Sequence, residues 1–115
     1  MNPDDVPWLV FGAAFVALVV FKRLGQISPA KARELLQSGA KLVDVRSAAE
    51  FASGHLPGAV NIPVGELGAK LESLGAKDKP LIVYCASGTR SAMARSVLKR
   101  QGFAQVFNLG SMSRW

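Results

Sequence analysis

Most of the reactive chemistry in this chain lies in one octet, YCASGTRS at residues 84–91, which holds the only cysteine among 115 residues. A lone thiol becomes a nucleophile when its surroundings favour the ionised sulfur, and the residues after Cys85 are of the types that do this. Gly88 permits a tight turn, so the backbone N–H groups of Ala86, Ser87, Gly88, Thr89 and Arg90 can face inward, where a following helix adds the partial positive charge of its N-terminus. Arg90 would draw an anionic donor towards the sulfur, and the hydroxyls of Ser87, Thr89 and Ser91 offer further hydrogen bonds. The competing assignment is an inert core cysteine, common for free thiols. The position favours the nucleophile, because the apolar run LIVY leads straight into Cys85 and open α/β sheets bind ligands at the carboxyl ends of their strands.

Other side chains carry less chemistry. A single cysteine excludes an intramolecular disulfide and any metal site of several thiolates, and nucleophilic chemistry at that one thiol needs no metal or organic cofactor. His55, the sole histidine, stands just before the turn Pro57-Gly58 and is expected to serve that turn rather than act as a general base. Asp44, Arg46 and Glu50 are close enough in sequence to form scaffold ion pairs. Fourteen Lys and Arg against eight Asp and Glu give a formal charge of +6, which suits small anions or acidic surfaces. The basic residues are dispersed without an aromatic-interleaved run, so nucleic acid is not an expected partner.

The elements that must position the octet follow from local signals. Half the residues are hydrophobic, enough for one domain with its own core. Ser28-Pro29 is an N-cap followed by proline at the first helical position, and Ala32, Leu35 and Leu36 give that helix one apolar side before Gly39 ends it. Strands are expected at 41–45 (KLVDV), 60–62, 81–84 and 106–109, and helices at 48–53, 66–74 and 91–100. Alternating strands and helices predict an α/β layer with a mainly parallel sheet.

The front of the chain is different in kind. VPWLVFGAAFVALVVF at 6–21 carries no charge, follows Asp4 and Asp5, and is closed by Lys22 and Arg23. Its 16 residues would span roughly 24 Å as a helix, against a hydrocarbon core of ~30 Å, and snorkelling Lys22 and Arg23 with Leu24 would lengthen it. The expectation is a membrane anchor over 1–25, with the spanning part at about 6–24, followed by a globular domain over 26–115. Acids before the run and bases after it are the reverse of a secretory signal, and the positive-inside tendency puts the globular part in the cytoplasm, at a bacterial inner membrane. Lys22 and Arg23 would anchor one interface and Trp8 the other. A buried core helix is the alternative, disfavoured because the run has no polar stripe.

Four separated motifs resemble the rhodanese domain of the single-domain sulfurtransferase type: LVDVR at 42–46 with Glu50 downstream, GHLPGAVNIP at 54–63, YCASGTRS at 84–91, and Gly102-Phe103. The resemblance implies a five-stranded, mainly parallel sheet with helices on both faces. It also implies a catalytic Cys85 that carries a persulfide, with Ala86, Ser87, Gly88, Thr89 and Arg90 as the loop that binds the substrate. The implied partners are a small anionic sulfur donor of the thiosulfate kind and a thiol or cyanide acceptor. A persulfide carrier or sensor that does not turn over is the alternative. Cysteine phosphatases and arsenate reductases place a loop one residue longer between cysteine and arginine, so the four residues here suit a sulfur atom better than a tetrahedral oxyanion. The chain departs from the family at its carboxyl end, NLGSMSRW, where Ser111 takes the place of a glycine in a segment expected to wall the pocket.

Overall fold

The computed structural model describes residues 6–115, with side chains from Val10 onward. The expected roles of Asp4, Asp5 and the Trp8 side chain lie outside the described residues. The elements run α1 (Val6–Arg23), α2 (Pro29–Gln37), β1 (Lys41–Asp44), α3 (Ala48–Ala52), β2 (Val60–Asn61), β3 (Leu81–Cys85), α4 (Thr89–Arg100) and β4 (Val106–Ser111). All pairings are parallel, in the order β2-β1-β3-β4. β3 is therefore central, and each of its five residues is buried.

Strand alternation divides the core into two layers. Leu81, Val83 and Cys85 pack with Ala94 and Leu98 of α4 and with Phe103. Ile82 and Tyr84 face the other way, onto Ala32, Leu56 and Leu109. The thiol thus points to the side of the sheet that α4 covers, and helices lie on both faces as expected.

Local signals account for most boundaries. Ser28 Oγ accepts from the Lys31 amide at 3.1 Å, with Pro29 opening α2. Ser47 and Glu50 form a reciprocal capping box on α3. The helix expected at 66–74 is instead two 3₁₀ segments, Val64–Ala69 and Leu71–Leu74. Gly65 and Gly68 lower the helix propensity of this short stretch, and tight i→i+3 turns suffice to bury Leu67 and Leu74.

Four strands form rather than the five expected. Where a fifth would lie, beside β4, there is a single parallel bridge between Gln26 and Asn108. α1 ends at Arg23 and Ser28 already caps α2, so too few extended residues remain between them for a strand. The bridge still matters, because the Asn108 amide donates to Gly25 O at 2.9 Å and the Ile27 amide donates to Asn108 O at 3.0 Å. The buried Asn108 side chain adds a bond from Nδ2 to Lys22 O at 3.2 Å. These contacts dock the end of α1 against β4.

The apolar N-terminal run does form a helix, but a short one. The 18 residues of α1 span about 27 Å. Among the described residues no helix is long and apolar enough to cross a membrane, so the span expected at about 6–24 is not shown. Phe11 and Phe15 are nonetheless 71% and 68% exposed, and Val10, Val16, Leu18 and Val20 are exposed beside them. The molecule measures 55 × 31 × 28 Å because α1 extends from the domain it is docked to.

Candidate active site

Cys85 closes β3 and is fully buried, and its sulfur takes the place of an N-cap side chain for α4. Gly88 occupies the cap position at φ +94°, a conformation that disfavours a β-carbon and brings the Gly88 amide to 3.0 Å from Sγ. The Ser91 amide, one of the donors left unpaired by the first helical turn, reaches Sγ at 3.3 Å. Ser91 Oγ lies 3.4 Å from Sγ and donates to Gly88 O at 3.1 Å. Two amides and a helix N-terminus therefore converge on one sulfur, an arrangement that stabilises negative charge there.

The remaining loop residues are placed less uniformly than expected. The amides of Ala86, Ser87, Thr89 and Arg90 do not donate to Sγ; Ala86 and Ser87 form the exposed edge of the loop and Thr89 is its half-buried shoulder. Arg90 is engaged by Glu50 in a bidentate pair, Nη1 to Oε1 at 2.6 Å and Nη2 to Oε2 at 2.9 Å. The Glu50 carboxyl is lowered to about 2, chiefly by the hydrogen bonds from Arg90, with the Ser47 amide contributing. The same pairing raises Arg90 above the usual guanidinium range. Arg90 was expected to draw an anionic donor towards the sulfur, and in the fold its guanidinium is paired with Glu50.

The expected grouping of Asp44, Arg46 and Glu50 divides in two. Asp44 and Arg46 form a buried bidentate pair under the carboxyl ends of β1 and β3, with Nη2 to Oδ2 at 2.7 Å and Nε 3.1 Å from both oxygens. The Arg46 amide donates to Asp44 Oδ1 at 2.9 Å, and Nη2 also reaches Gly54 O at 2.6 Å. Arg46 stands over the Tyr84 ring at 5.9 Å, and Tyr84 Oη accepts from the Leu56 amide at 3.0 Å. His55 stacks on Phe51 at 3.7 Å with Nδ1 3.0 Å from Phe51 O, a turn role as expected.

Residues from the two ends of the chain approach the loop; the carboxyl-terminal segment was expected there, whereas Lys22 was not. Ser111, the departure from the family pattern, donates from Oγ to Ala86 O at 2.6 Å and so fixes the first loop residue. Arg114 donates to Leu109 O. Lys22 lies over the loop, with Cε 3.7 Å from where a β-carbon on Gly88 would stand. No local pattern marks Lys22 for this place, since contacts across most of the chain bring it there.

A central parallel strand that ends on a buried cysteine, whose sulfur caps the following helix, defines an α/β domain built to hold a sulfur anion. The chain belongs to the rhodanese-like domain family, whose model matches residues 28–115, and it is an enzyme of the rhodanese sulfurtransferase type. It is 38% identical over 99 residues to the thiosulfate sulfurtransferase GlpE of Pseudomonas savastanoi pv. phaseolicola, covering 83% of this chain and 87% of that one. It is 33% identical over 113 residues to the Bacillus subtilis protein YqhL, covering 93% and 89%. Among solved structures it is similar to the human single-domain sulfurtransferase TSTD1, with TM-score 0.73 and 32% identity over 79% of this chain and 94% of that one.

Proposed function

We propose that this chain moves sulfane sulfur from a small anionic donor of the thiosulfate kind to a thiol or cyanide acceptor through a persulfide on Cys85. The observation that carries this reading is the pair of amides from Gly88 and Ser91 on Cys85 Sγ, at 3.0 and 3.3 Å. The Cys85 thiolate attacks the outer sulfur of thiosulfate, the S–S bond of the donor breaks, and sulfite leaves with the bonding electron pair. The negative charge on the new terminal sulfur remains where the loop amides can face it. An acceptor thiolate or cyanide then attacks that sulfur, and the leaving Cys85 thiolate returns to the same two amides. Ser91 Oγ, at 3.4 Å, turns to donate to the ionised sulfur.

Intact-mass spectrometry tests this reading. Thiosulfate should add one sulfur atom to the wild type and none to Cys85→Ser, and cyanide should remove it over repeated cycles. An equal gain in the variant would refute the assignment, and a gain that cyanide never clears would favour a carrier.

The same reading makes residues 1–25 the attachment to a membrane and 26–115 the catalytic part, facing the cytoplasm at a bacterial inner membrane. Support comes from the exposed apolar surface of α1 and its basic end at Lys22 and Arg23. At about 27 Å the helix reaches the hydrocarbon thickness only with local thinning of the bilayer. Full-length protein should require detergent, whereas a chain that starts at Gln26 should not. Equal solubility would remove the membrane from the proposal.

A further inference from the structure

A cleft of about 300 Å³ lies between the end of α1 and the cysteine loop, lined by Lys22, Arg23, Gln26, Ser87, Ser111 and Arg114. Three of these are cations, and no acidic side chain lines the space. Among the described residues none of the three is in a salt bridge. Gly110 makes room for Gln26 and Arg114, because a β-carbon there would stand 2.5 Å from Gln26 Nε2 and 3.4 Å from Arg114 Nη1. Arg90, the cation within the loop itself, is neutralised by Glu50. Positive charge available to an incoming anion beside Ser87 therefore comes from the two ends of the chain.

We infer that Lys22, Arg23 and Arg114 form a binding subsite for the oxyanion part of the sulfur donor, so that the end of α1 is one wall of the active site. The inference rests on the persulfide reading above and deepens it. The donor's sulfonate oxygens sit among the three cations, with the hydroxyls of Ser87 and Ser111 as further donors, while its outer sulfur is directed under the loop towards Cys85. When the S–S bond breaks, the departing sulfite carries two negative charges into this cationic space, which lowers the barrier to its leaving. Lys22 is half-buried and lies over Gly88, a placement that serves the loop rather than solvent.

The test is steady-state and product-inhibition kinetics on full-length protein in a neutral detergent, with Lys22→Gln, Lys22→Arg and the double variant Lys22→Gln/Arg114→Gln. Loss of one or two charge-assisted hydrogen bonds should raise KM for thiosulfate and the inhibition constant of sulfite together, by about tenfold or more in the double variant. Alkylation of Cys85 by neutral iodoacetamide should change far less, and Lys22→Arg should stay near the wild type. Unchanged KM and sulfite inhibition in variants that still form the Cys85 persulfide would overturn the subsite while leaving the transfer reading intact. Absence of any persulfide in the wild type would instead overturn the reading beneath it. If the variants lose only their retention on vesicles of phosphatidylglycerol and phosphatidylcholine, with KM unchanged, the cations serve lipid phosphates and the subsite is refuted.

Discussion

Asp44→Asn is the substitution whose effect the structure sets most sharply. Asp44 is wholly buried and Arg46 only 6% exposed, and the carboxylate takes both the Arg46 amide and the two ends of its guanidinium. Asparagine is almost the same size, but its NH₂ group would face Arg46 Nη2 at the position that now accepts at 2.7 Å. The guanidinium would then be buried with only Gly54 O and the one remaining side-chain oxygen as partners among the described residues, and with no counterion for its charge. Removing one partner of a buried pair costs about 3–5 kcal/mol, a large share of the roughly 5–15 kcal/mol that holds a domain together. For a domain of this size each kcal/mol lowers Tm by roughly 4–8 °C, so a fall of at least about 12 °C is expected. Urea unfolding with an unchanged m-value should return the same free energy. The double variant Asp44→Asn/Arg46→Met should recover more than half of the loss, because no charge is then left without its counterion. A loss below about 1 kcal/mol in the single variant would mean that the pair is effectively solvated and that burial is not what makes it matter.

Two further outcomes follow from the loop and its partner. The folded-state pKa of Glu50 is lowered from 4.5 to about 2, so the stability it contributes is complete above about pH 4.5 and is lost as pH falls towards about 2. The Tm of the wild type should therefore fall more steeply across that window than the Tm of Glu50→Gln, and parallel curves would refute the linkage. At Gly88, φ is +94° and an added β-carbon would find only ordinary contacts, Gly110 Cα at 3.6 Å and Lys22 Cε at 3.7 Å, so the penalty of Gly88→Ala is conformational rather than steric. A backbone cost of roughly 1–2 kcal/mol should be relieved by turning the residue 88 amide off Cys85, which lowers the rate of sulfur loading by about tenfold; loading at the wild-type rate would refute the role given to that amide.

Much of this chain is legible from local pattern because its causes are local. The caps at Ser28 and Ser47, the apolar runs that become β1 and β3, and the strand–cysteine–glycine–helix order of the octet depend on residues a few positions apart. Alternation along LIVYC even assigns Cys85 to the same face as Leu81 and Val83. The two 3₁₀ segments were less legible, since Gly65 and Gly68 favour tight turns over the single helix expected at 66–74. The missing fifth strand was not legible either, because it turns on how closely α1 and α2 follow one another.

By itself the sequence determined the parallel α/β sheet, the cysteine at its central strand end and the glycine that lets the loop turn, since backbone preferences and hydrophobic periodicity act over short separations. Tertiary structure alone decided which charges are spent and which are free. Glu50 and Arg90 pair across 40 positions, and the Asn108 side chain reaches Lys22 O across 86. An ion pair depends on distances that packing sets, and nothing in the local sequence records them.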